Sequence, residues 1–124
     1  LFNKMTSRRC LASLRNIDFW YNFNKNNNSI KIGLNKSCLN RIGEIERIQF
    51  NSNFLNKYTT EHHIIGHIST YKTTYEVDLH LPLRGYITAF NQHEINFKDD
   101  TWLIELLEDD YYLESELYKY EYGL

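Results

Sequence analysis

The chain has 124 residues and a formal net charge of −2, and aromatic side chains make up 15% of it. That length suits one small domain with a modest core that large rings can fill. The mixed charge argues against a nucleic-acid-binding face, no apolar run approaches the roughly 20 residues of a membrane helix, and Cys10 and Cys38 are too few for a disulfide framework or a zinc site.

Residues 1–16, LFNKMTSRRCLASLRN, combine basic residues, serines and hydrophobics, and the first acid is Asp18. This is the composition of a transit peptide or its remnant, and equally of a disordered basic tail. Beginning on Leu rather than Met fits a processed or trimmed product. IDFWYNF is then a short aromatic strand, and the Asn-rich stretch from Asn24 to Ser29 turns the chain. SIKIGL alternates Ile30, Ile32 and Leu34 against Lys31 and Gly33, the period of a half-buried strand. NKSCLNRIG spans one or two helical turns, with Asn35 as N-cap and Gly43 as the stop. EIERIQF returns to strand, SNFLNKYTTEHH is polar and loop-like, and IIGHIS is strand again. GYITAF follows the Pro-Leu-Arg-Gly corner, and TWLIEL is a strong strand. In YLESELYKYEY, Leu113, Leu117 and Tyr120 share one face of a terminal helix. Many short strands with few helices predict a mainly β domain, a sandwich or barrel, with no internal boundary.

Two clusters carry charge or metal-ligand chemistry. His62, His63 and His67 with Glu61 are the one set that could bind a metal, and on a helix His63 and His67 would share a face. The surrounding β-branched residues and glycine instead read as strand, where surface and loop histidines account for the set. The carboxylates of LLEDDYYLESE suit a solvated helix N-terminus. No Gly-rich phosphate loop or nucleophile elbow is present, so no catalytic residues are assigned. HISTYKTTYEVDLHLPLRG reads as strand, turn, strand, with Lys72 near the bend. A lysine there is exposed on a rigid platform, and its amine is open to acylation.

In order, IDFWYNF, SIKIGLNKSCLNRIGEIERIQF, IIGHISTYKTTYE, LPLRGYITAFN and TWLIELLEDD resemble the H protein of the glycine cleavage system, from about Ile17 to Tyr122. Trp20 sits where that family has its early Trp, and Gly66 precedes Lys72 by six residues, as the family's glycine precedes its lipoyl lysine. The resemblance implies a lipoyl-type barrel-sandwich hybrid over residues 17–124, with a short internal helix and a C-terminal helix. It implies a non-catalytic carrier in the mitochondrial matrix, with a lipoyl group on Lys72 attached by a lipoate ligase or lipoyltransferase. The group would accept an aminomethyl unit from glycine decarboxylase, pass it to aminomethyltransferase and be reoxidised by dihydrolipoyl dehydrogenase. Biotin is disfavoured, since biotinyl domains flank their lysine with Met and here the neighbours are Tyr71 and Thr73.

The chain departs from the family at three places. Ser69 stands where the family has an acid three residues before the lysine. Counting back from Pro82 reaches Thr74 rather than Lys72, which predicts two extra residues in VDLHL. The loop between Asn91 and Trp102 is short and lacks the family's Asn-Pro and Gly-Trp features. These departures define the alternative, a degenerate and non-lipoylated homologue serving as a structural subunit among neighbouring subunits of a large mitochondrial complex.

Overall fold

A computed structural model describes residues 14–72 and 76–107. The predicted C-terminal helix, most of the N-terminal tail, Cys10 and Thr74 lie outside the described residues. Among the described residues eight antiparallel strands form two sheets. The strands are β1 (Phe19–Asn24), β2 (Ser29–Leu34), β3 (Ile45–Phe50), β4 (Tyr58–Thr59), β5 (Ile64–Thr70), β6 (Glu76–His80), β7 (Gly85–Phe90) and β8 (Trp102–Leu107). One sheet has the order β1-β2-β8-β7-β4 and the other β3-β5-β6.

The period-2 patterns close one core between them. Ile32, Ile87, Ile104 and Leu106 from the larger sheet and Ile68, Val77 and Leu79 from the smaller are at most 1% exposed. Each such side chain contributes about 2 kcal/mol by leaving water. Phe50 of β3 stacks on Phe90 of β7, ring centroids 4.6 Å apart, and ties the two sheets together. The chain enters this core early, for Leu14 is already buried. Among the described residues no helix is long and apolar enough to cross a membrane.

Helix α1 (Lys36–Ile42) forms as its caps dictate. The Asn35 side chain accepts from the Cys38 amide at 2.9 Å, and the Gly43 amide closes the last turn on the Leu39 carbonyl at 2.8 Å. A second set of contacts fastens α1 to the chain before β1. The buried Asp18 carboxylate accepts from Arg41 Nη2 at 2.6 Å and from the Arg15 amide at 2.7 Å. The Asp18 carbonyl accepts from the Asn35 amide at 2.9 Å.

One sequence expectation is corrected. The stretch expected as loop after β3 contains a short 3-10 turn (Ser52–Phe54) and strand β4, whose Tyr58 pairs with Tyr86 and Thr59 with Gly85. Strand β6 pairs without interruption from Glu76 to Leu79, and on β5 a bulge falls between Ile64 and Gly66.

Candidate functional site

The β5–β6 hairpin carries the site. Its last described pair is Ser69↔Glu76, and Lys72 stands two residues beyond the end of β5 at Thr70. Paired residues point to one face of a sheet, and the alternation along β5 and β6 sends Ile68 and Val77 into the core and Ser69 and Glu76 outward. A carboxylate therefore stands directly across from Ser69. The position where the resembled family has its acid is a serine here, yet the outward row still holds an acid, on the facing strand.

The tip does not stand free of the body. The Tyr71 amide donates to the Glu44 carbonyl at 3.0 Å, which ties the hairpin to the segment leaving α1. Gly43, just before it, has φ +90° and ψ 178°, a conformation that only glycine adopts without strain. A Cβ built on Gly43 would lie 2.7 Å from Lys72 Cβ and 3.1 Å from its Cδ. The Lys72 stem thus lies along the bare face of Gly43, while the residue as a whole is exposed. Among the described residues its amine has no carboxylate in salt-bridge contact. The result is a backbone-anchored lysine with a supported stem and an open head group.

The histidines do not converge. His67 Nδ1 meets Asp78 Oδ1 at 3.0 Å, and His63 Nδ1 meets Thr60 Oγ1 at 2.9 Å. His62 stacks on His80 with ring centroids 6.1 Å apart, and Glu61 lies 3.8 Å from Arg84. No group of three His, Cys, Asp or Glu among the described residues could hold a metal. Cys38 is sealed inside α1, where burial and, next, the Asp18 charge push its thiol up to about 11. It is protonated at neutral pH and offers no thiolate nucleophile.

The fold opposes the titration of His80. Its ring meets Phe19 edge-on at 5.2 Å, and its Nε2 contacts Asn16 Oδ1 at 3.1 Å. Burial first, then the neighbouring His62, hold its pKa below the ordinary 6.5, against an opposing pull from Asp18. A depressed histidine pKa means the unfolded chain binds the proton more readily. The stability it contributes is complete above pH 6.5 and is lost as pH falls through the folded-state value. Thermal melts are expected to show a lower Tm at about pH 5 than at about pH 7.5. His80→Phe keeps a ring against Phe19 but cannot titrate, so it should flatten part of that slope; an unchanged slope would assign the effect to other groups.

Sequence reading located Lys72 at the bend and Gly43 as a helix stop, but not their contact. The sequence carries no local signal for it, because two turns far apart along the chain meet there. The facing of Ser69 and Glu76 follows from the register and could have been counted once the bend was placed.

No family model and no curated protein matches this chain. Among solved structures it is similar to a glycine cleavage system H protein from Mycobacterium marinum, with a TM-score of 0.56 and 15% sequence identity over 86% of this chain and 92% of that one. The fold of this chain is therefore mainly antiparallel β, two sheets and a short helix, in the arrangement of an H protein.

Proposed function

We propose that the chain is a lipoyl carrier of the H-protein type, with Lys72 as the attachment residue. The observation that carries this reading is the seating of the Lys72 stem against Gly43 at the tip of a two-stranded support. The site suits the group: the amine is open to an acylating enzyme, and the bare Gly43 face leaves room for the extended stem. When bound, a lipoyl group supplies a reversible disulfide–dithiol couple at the end of a long arm. The protein's own part is mechanical. The β5–β6 ladder fixes where the arm begins, the Tyr71–Glu44 bond holds the tip, and Glu76 places a carboxylate opposite Ser69.

On this reading a lipoate ligase or lipoyltransferase loads Lys72, and the loaded chain serves glycine decarboxylase, aminomethyltransferase and dihydrolipoyl dehydrogenase in the mitochondrial matrix. The basic, serine-containing composition of residues 1–16 supports that location. Ser69 favours a second reading, a non-lipoylated homologue within a larger mitochondrial assembly. Intact mass spectrometry of the protein from its own source separates them. One lipoyl group per chain is expected, lost in Lys72→Arg, and recombinant protein treated with lipoate ligase should behave the same way. An unmodified Lys72 in cells with active lipoylation would overturn the carrier reading, and co-sedimentation with a large particle would then support the second.

A further inference from the structure

Sheet edges are open templates for another strand, and proteins usually block them with charge, shortness or bulges. Among the described residues the two sheets have four edges, and three of them are blocked in those ways. Strand β4 is two residues long, β3 carries Glu46 and Arg47 with a bulge between Ile45 and Arg47, and β6 carries Glu76 and Asp78. The fourth edge, β1, has none of these devices. Its sequence FWYNFN holds no charge, proline or glycine, and it pairs with β2 residue for residue from Phe19↔Leu34 to Asn24↔Ser29. Among the described residues nothing pairs with its outer side.

The same strand exposes large rings. Tyr21 and Phe23 are 44% and 45% exposed. The register places them on the face of Ile32 and Ile30, the core side of the sheet. The core surface thus runs out to an unpaired edge.

We propose that β1 is a self-association edge and that a second copy of this chain pairs with it antiparallel. Three features favour a second copy over an unrelated strand. A two-fold axis at Asn22 sets Asn22 opposite Asn22 and Tyr21 opposite Phe23 of the second copy, so aromatic meets aromatic on one face. The edge has no charge, so two copies bring no like charges together. The contact also closes at two chains, because the opposite edge of the sheet, β4, is too short to accept a six-residue strand. A strand edge about 20 Å long and about 10 Å deep covers about 200 Å² a side, well below the roughly 1,200 Å² in total that stable interfaces bury. The dimer is therefore weak and reversible. It uses the larger sheet and leaves the Lys72 hairpin, on the smaller sheet, available.

Sedimentation analysis of the full 124-residue chain, without any lipoyl group, tests this independently of the carrier reading. Average mass should rise from one chain toward two between about 1 and 500 µM, the range of weak association. Hydrogen exchange at residues 19–24 should slow at the high end of that range. The double variant Tyr21→Lys and Phe23→Lys places amines opposite each other across the two-fold axis and should stay monomeric at every concentration. Asn22→Lys charges the opposite face and gives a second test if the double variant fails to fold. A wild-type mass of one chain throughout would overturn the proposal, whether the β1 amides are protected by the chain's own termini or exchange freely. Association that survives every folded charged variant would also overturn it.

Discussion

Gly43→Ala is expected to slow ligase-catalysed loading of Lys72 by about ten-fold or more, the equivalent of about 1.4 kcal/mol, while the domain remains folded. The cause is geometric. An alanine methyl would sit 2.7 Å from Lys72 Cβ. That atom is fixed to the backbone, so a rotamer change cannot relieve the contact. Either the hairpin tip moves or Gly43 does, and Gly43 is held by its amide bond to Leu39 and by the neighbouring Glu44 carbonyl's bond to Tyr71. The backbone adds its own cost, since a non-glycine residue at φ +90° and ψ 178° is strained by about 1–3 kcal/mol. Loading rate and denaturant midpoint should be measured together. Loading that falls only in step with the unfolded fraction would mean that Gly43 serves the helix end and not the lysine.

That contact marks the boundary of what the sequence makes legible. Asn35 as a cap and Gly43 as a stop are local features, fixed by neighbours within a few residues, and the structure has them where the sequence places them; SIKIGL is the expected strand with Lys31 exposed, but Gly33 is buried beside a register shift. The mainly β class follows from the same short-range periods. Strand β4 escapes because two residues cannot display a period; its pairing with Tyr86 and Gly85 is a property of β7. The β5 bulge escapes for a related reason. A single added residue between Ile64 and Gly66 leaves no mark in the hydrophobic period of the strand. The histidines follow the strand and loop reading given to them. His63 and His67 fall close in sequence, but the strand between them and the loop before it send the rings to Thr60 and Asp78.

Asp18→Ala should be the more damaging change to the fold, at about 3 kcal/mol. Its carboxylate is buried, and it collects the Arg41 guanidinium, the Arg15 amide and, at 3.9 Å, Arg15 Nε. Alanine removes the acceptor and leaves the Arg15 amide without this bond. The Arg41 head, 37% exposed, can turn to water, so Arg41→Ala should cost less than Asp18→Ala, and the double variant little more than Asp18→Ala alone. Urea midpoints of the three variants would show this, and an Asp18→Ala protein within about 0.5 kcal/mol of wild type, the spread of ordinary surface changes, would refute it. The consequence reaches the site because Arg41 lies in the last turn of α1, next to the Gly43 that seats the Lys72 stem. Amide exchange at Gly43 should therefore quicken in Asp18→Ala, where it loses its hold on Leu39. Loading of the folded fraction should nonetheless fall less than in Gly43→Ala, because the bare face beside Lys72 is still present. The pair of variants thus separates the stability of the support from the space it leaves for the lysine.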